Sequence, residues 1–130
     1  MCKIPDFCPL YDMREIKYLY VQYLISDNVG TIDYSRIKRL QYINISEDGH
    51  YNYNSVDSLK TLVVGRIKRK NQQLSDLFSS HILDSLQLTQ CQIKSLDGID
   101  ISKNMKHLFL YHNRSLSDIS ALENVAHTLK

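Results

Sequence analysis

The chain has 130 residues, 43% of them hydrophobic, which fits one globular domain. Its 16 basic and 14 acidic residues leave a net charge of +2, so no strong field points to nucleic acid or to a membrane surface. The opening M-C-K-I-P-D-F-C-P-L-Y-D lacks the continuous apolar core of a signal peptide, and the longest mostly apolar run, Ile16 to Ile25, contains Lys17 and Gln22 and is too short to span a bilayer. A soluble cytoplasmic protein with no membrane association is expected.

Residues 1–15 hold both prolines, Pro5 and Pro9, with Phe7, Leu10 and Tyr11 around them. Proline interrupts ladders and helices alike, so this stretch is expected to be an N-terminal cap, irregular or a helical turn, that shields one end of a core. From Ile16 onward a template recurs, apolar-x-x-apolar-x-apolar, closed three residues later. Ile16, Leu19 and Val21 fit it, with Leu24 at the closing position. The segment S-D-N-V-G-T then has turn composition.

Leu40, Ile43 and Ile45 form the second unit, closed by Asp48, and Leu59, Leu62 and Val64 the third, closed by Ile67. The fourth is Leu83, Leu86, Leu88 and Cys91; the fifth is Met105, Leu108, Leu110 and Asn113. Strand units therefore begin near 16, 40, 59, 83 and 105, in steps of 24, 19, 24 and 22. Side chains of a strand alternate between faces, so the second and third apolar residues of each unit point into one core. A small polar residue at the closing position can bond backbone groups that have left the ladder.

The segments between strands echo one another as well. Leu74-Ser75-Asp76-Leu77 matches Leu116-Ser117-Asp118-Ile119, 42 residues further on. Ile93 and Leu96 in one return, and Leu116 and Ile119 in the next, are expected to anchor those segments on the core. The final A-L-E-N-V-A-H-T-L-K predicts a return helix with Leu122, Val125 and Leu129 on one side. It stops where a sixth strand would start, so the C-terminal end is expected to be open and to self-associate.

Spacing and pattern together resemble the leucine-rich repeat family, in particular its short, irregular, bacterial-type cytoplasmic members. The resemblance implies an α/β fold: a leucine-rich repeat solenoid with parallel strands on a concave face and irregular or helical returns on the convex face. It assigns residues 16–130 to about five repeats, and it implies a non-enzymatic module that binds another protein as a regulator or an inhibitor. A further alternative is that the chain is a structural piece of a larger protein of that kind.

By alternation, the outward positions are Tyr18, Tyr20 and Gln22; Tyr42, Asn44 and Ser46; Thr61, Val63 and Gly65; Ser85, Gln87 and Thr89; and His107, Phe109 and Tyr111. Aromatic residues with uncharged polar neighbours are what protein interfaces favour. Tyr18, Tyr20, Tyr42, Gln87, His107, Phe109 and Tyr111 are the expected partner-binding residues. Cross-strand aromatic pairs can also merely stabilise a sheet surface. For the tyrosines the two readings balance; for the three rings of the last strand binding is favoured.

The basic runs 36–39 and 66–70 offer nucleic-acid binding as the alternative function. One precedes a strand and the other follows one, which puts them on opposite edges and favours solvated loop charge. No phosphate loop, H-E-x-x-H motif or nucleophile elbow is present, so no enzyme is expected. His107 and His112 have no obvious catalytic partner, and Asp76 and Asp118 sit in returns where they are expected to bond local backbone. Cys2, Cys8 and Cys91 make an odd set without framework spacing, matching reduced thiols. Cys2 and Cys8 lack the two further clustered ligands of a closed site, so neither a metal nor another cofactor is expected.

Overall fold

The computed structural model describes residues 8–22, 32–46, 56–66, 74 and 82–130. Five strands, β1 (Tyr18–Gln22), β2 (Tyr42–Ser46), β3 (Thr61–Gly65), β4 (Ser85–Thr89) and β5 (His107–Tyr111), form one sheet. All neighbours are parallel, and the spatial order β1-β2-β3-β4-β5 is the order in the chain. The steps between strand starts, 24, 19, 24 and 22, are those of the apolar template.

In-register pairing turns the alternation into rows. Leu19, Ile43, Leu62, Leu86 and Leu108 stand side by side, and so do Val21, Ile45, Val64, Leu88 and Leu110. Ile43, Ile45, Leu62, Val64, Leu86 and Leu88 are almost entirely removed from water. Leu40, Leu59, Leu83 and Met105, the first apolar residues of the second to fifth templates, lie fully buried beneath the strand entrances, and Ile16 of the first is half-buried. A slip of one residue would throw both rows onto the opposite face, so core burial fixes the register.

One hydrogen bond recurs just before each of β2 to β5 and once more at Lys130. The amide of Gln41 donates to Lys17 O (2.9 Å), Lys60 to Gln41 O (2.9 Å), Asp84 to Lys60 O (2.9 Å), Lys106 to Asp84 O (2.8 Å) and Lys130 to Lys106 O (2.8 Å). Beyond the strands the chain turns inward through residues with positive φ: Arg66 (57°), Gln90 (55°) and His112 (52°), each directly after a strand. The residue that follows β4 and its kink, Cys91, is buried, and its thiol lies 3.6 Å from the carbonyl oxygens of Val64 and Thr89. Asn113 occupies the same position one repeat later. Its Oδ1 accepts from the Cys91 amide (2.8 Å), and its Nδ2 donates to Leu88 O (3.0 Å). The closing residue thus satisfies backbone groups of the preceding repeat, as its chemistry suggested. Leu24, Asp48 and Ile67 lie outside the described residues.

The returns use short turns. Tyr34–Arg36, Ile99–Ile101 and Ser120–Asn124 are 3₁₀ segments. The return helix expected over residues 121–130 is therefore a single 3₁₀ stretch followed by turns. A 3₁₀ turn rises about 2.0 Å per residue against 1.5 Å for an α-helix, so it runs back along the strand with fewer residues. It still delivers Ala121 and Val125 to the core, with Leu122 and Leu129 half-buried against it. Asp118 caps this turn, accepting from the amide (2.9 Å) and hydroxyl (2.7 Å) of Ser120, and the hydroxyl above all holds its carboxyl below the usual range.

A second, shorter ladder joins the last two returns. Ser95 bridges Asp118, Leu96 N–H donates to Asp118 O (3.2 Å), and Ser117 N–H to Lys94 O (3.0 Å). This register sets Leu116 beside Ile93 and Ile119 beside Leu96. Ile93 and Leu96 are fully buried, yet Leu116 is half-buried and Ile119 is 55% exposed. Ile119 is thus not the buried anchor its sequence match promised. A side chain in that position is covered by the repeat after it, and Ile119 has none among the described residues. Leu108 and Leu110 are half-buried for the same reason.

Ahead of β1 in the chain lies the short helix α1 (Cys8–Asp12). Leu10 and Tyr11 pack on the core, and the Tyr11 hydroxyl accepts from the Asp33 amide (2.8 Å).

Two expectations follow for stability. Asn113→Ala strips partners from the Cys91 amide and the Leu88 carbonyl and is expected to cost about 1–3 kcal/mol in urea denaturation. Leu86→Ala is expected to cost about 2–5 kcal/mol, and Leu108→Ala, whose site is already half open, clearly less in the same assay.

Candidate interaction face

The face opposite the core is built from the alternate positions of the five strands. Pairing aligns them in three rows across the sheet: Tyr18, Tyr42, Thr61, Ser85 and His107; then Tyr20, Asn44, Val63, Gln87 and Phe109; then Gln22, Ser46, Gly65, Thr89 and Tyr111. No Lys, Arg, Asp or Glu occupies any of these positions, although such residues make up 23% of the chain. All seven residues expected to bind a partner lie on this face.

Two aromatic banks flank it. Tyr18, Tyr20 and Tyr42 cluster on β1 and β2, with ring centroids 6.1 Å apart for Tyr18 and Tyr42 and 5.2 Å for Tyr20 and Tyr42. Tyr18 and Tyr20 are 65% and 62% exposed, and Tyr42 is half-buried between its neighbours. Hydrogen bonding with Tyr42 favours the protonated phenol of Tyr20 and holds its pKa above the ordinary 10.0.

On β5 the rings of His107, Phe109 and Tyr111 follow one another at 6.5 Å, nearly parallel, with interplanar angles of 18° and 2°. Phe109 and Tyr111 are 42% and 48% exposed. Their neighbours across the ladder are Gln87 and Thr89, so this bank has no ring beside it on β4.

Between the banks lies a floor of small and uncharged side chains, Thr61, Val63, Gly65, Ser85, Gln87 and Thr89. A Cβ at Gly65 would meet Ser46 Cβ and Thr89 O at 3.8 Å, an ordinary contact, so packing does not demand glycine there; its effect is to keep the floor low. With neighbouring strands about 4.8 Å apart, the banks on β2 and β5 are separated by about 14 Å, wide enough for one extended segment or one helix. The alternation alone marks these floor positions, of which only Gln87 stood out by residue type.

The described residues of the two basic runs lie outside these rows. In the first, Ile37 is buried, the Arg36 guanidinium lies 4.0 Å over the Tyr11 ring, and Arg39 pairs with Glu15 at 2.6 Å. These residues fasten the second repeat to the N-terminal turn. Of the second run only Arg66 is described, and its amide donates to Thr89 O (2.8 Å). Asp76 and Cys2 lie outside the described residues, as does the side chain of Cys8. Among the described residues no three His, Cys, Asp or Glu side chains are grouped to hold a metal, and no helix is long and apolar enough to cross a membrane.

No protein-family model, curated protein or solved structure matches the chain.

Tyr42→Phe removes the hydroxyl that holds Tyr20 protonated, so the Tyr20 titration midpoint is expected to fall toward the ordinary tyrosine value. Because the folded pKa is raised, the stabilising contribution is complete below the ordinary value of 10.0 and is lost as pH rises through the folded one. Ultraviolet titration of tyrosinate in the wild type and the variant checks the shift.

Proposed function

We propose that this chain is a leucine-rich repeat solenoid that binds a partner protein across the uncharged face of its sheet. The observation that carries the reading is the composition of that face: two aromatic banks around a polar floor, with charged residues kept to the returns and loops. Interface centres are depleted in charge and enriched in Tyr and Phe, whose large rigid rings bury much area at low entropic cost. The strand template, the in-register rows and the Cys91 and Asn113 closures support the repeat assignment.

Binding here needs no reacting group. A partner segment of about strand length fills the space between the banks, stacks on Phe109 and Tyr20, and exchanges hydrogen bonds with Asn44, Gln87, Ser85 and Thr61. By covering its own active surface in this way, a partner enzyme would be inhibited. The nucleic-acid reading has less support, because Arg36 and Arg39 already hold aromatic and acidic partners within the fold.

The test is capture from lysate by the wild type and by a Phe109→Ala, Tyr111→Ala double variant, followed by titration of each captured protein after purification. Both side chains face outward, so the variant is expected to keep its melting profile while its affinity for the true partner falls at least about tenfold. A partner that binds both proteins equally would remove the β5 bank from the reading.

A further inference from the structure

We propose that the partner of the outward face is recognised through an acidic segment, whose carboxylates lie over the strand entrances on Lys17 and Lys60. The inference rests on the partner-binding reading above and names the chemistry of what is bound.

The residues directly before the strands form a row of their own. Lys17, Gln41, Lys60, Asp84 and Lys106 precede β1 to β5, and the amide-to-carbonyl bonds that run from Lys17 through Gln41, Lys60 and Asp84 to Lys106 hold them side by side. They border the first row of the outward face, Tyr18, Tyr42, Thr61, Ser85 and His107. With neighbouring strands about 4.8 Å apart, Lys17, Lys60 and Lys106 follow one another at about 10 Å along one rim of an uncharged surface.

Pairing leaves two of these cations available. Lys17, Lys60 and Lys106 are exposed, while Gln41 and Asp84 are half-buried. Asp84 is the one acid of the row, and its Oδ2 lies 4.0 Å from Lys106 Nζ. No carboxylate of the described residues comes within that distance of Lys17 or Lys60. Glu15, two residues before Lys17, is held by Arg39 at 2.6 Å. The two lysines flank Gln41 in the row, next to the Tyr18 and Tyr42 rings, whose centroids are 6.1 Å apart.

An uncharged, ring-rich centre with a charged rim is the usual anatomy of a protein interface. A rim of one sign speeds the approach of the opposite sign and penalises its own, so this one selects an acid. Single-stranded nucleic acid also combines planar groups with negative charge. Its affinity, however, comes largely from the number of phosphates neutralised, and two or three lysines give it little. The other described cations of the second repeat do not extend the row, because Arg36 and Arg39 are held by Tyr11 and Glu15. A peptide asks less of the rim: the rings supply burial, and the lysines only choose and orient.

Fluorescence anisotropy with three dye-labelled probes tests the proposal: a short peptide alternating Glu and Tyr, the same peptide with Gln for Glu, and an oligothymidylate of matching length. The wild type is expected to bind the Glu peptide at least about fivefold more tightly than the Gln peptide at low salt, and the advantage is expected to shrink at high salt. Lys17→Gln with Lys60→Gln is expected to abolish the preference without changing the melting profile, since both side chains are exposed. Asp84→Asn, which frees Lys106, is expected to strengthen it. Lys94→Gln with Lys103→Gln lowers the net charge equally on exposed positions of the returns and is expected to leave the preference intact.

Equal binding of the two peptides overturns the proposal, as does binding of neither. A preference that survives the Lys17, Lys60 variant, or falls equally in the Lys94, Lys103 variant, overturns it too, because net charge and not the row would then be responsible. Tighter binding of the oligothymidylate, lost with Lys17 and Lys60, replaces the acidic peptide by nucleic acid. If both peptides bind alike and both are lost with Phe109→Ala, Tyr111→Ala, the lysine row fails while the face remains a protein-binding surface.

Discussion

Everything in this fold depends on one constraint: a single repeat cannot bury its own apolar rows, so each strand must sit in register on the one before it. The hydrogen bond passed from Lys17 O to Gln41, and on through Lys60, Asp84, Lys106 and Lys130, is the mark of that constraint. It recurs although the repeats differ in length by as many as five residues, since the steps range from 19 to 24. Variation in length is absorbed by the returns, because the register is set by the core rows and the returns have only to reach the next entrance. Stability of this kind is a sum of neighbour contacts, and it is weakest where a neighbour is missing.

The same constraint explains why so much was legible in the sequence. Burial on one face forces an apolar residue at every second strand position, which is a signal that needs no partner residue to be recognised. The strand entrances and the inward rows follow directly. The closing residue was legible too at Cys91 and Asn113, because few side chains can both turn inward and meet backbone groups. What the pattern could not give was whether a given inward position is covered. Ile119 has the spacing of Leu96 but not its burial, since cover comes from the following repeat and not from the residue itself. The 3₁₀ character of Ser120–Asn124 was hidden for a related reason: Leu122, Val125 and Leu129 mark a side, and a tight turn and an α-helix can present the same side over so few residues.

The basic run 36–39 shows a different limit. Read locally, it is a patch of positive charge; in the fold, Arg36 covers the ring of Tyr11 and Arg39 reaches Glu15, 24 residues away. Charge that serves to fasten one repeat to the N-terminal turn is not distinguishable from free charge until the pairing is known. Exposed pairs of this type add little stability.

The outward face is where folding requirements stop explaining the sequence. Its positions are free of the packing that dictates the inward rows, so their residue types report something other than the core. Part of the aromatic content still has a structural account: Tyr42 lies between Tyr18 and Tyr20 across the β1-β2 ladder, and such cross-strand pairs strengthen a sheet by themselves. The β5 row does not share it. Among the described residues, His107, Phe109 and Tyr111 stack only along their own strand, beside Ser85, Gln87 and Thr89. Polar or charged residues there would cost the sheet little and would protect the edge. Their absence is unexplained by the isolated fold, and the partner contact proposed for this face would account for it.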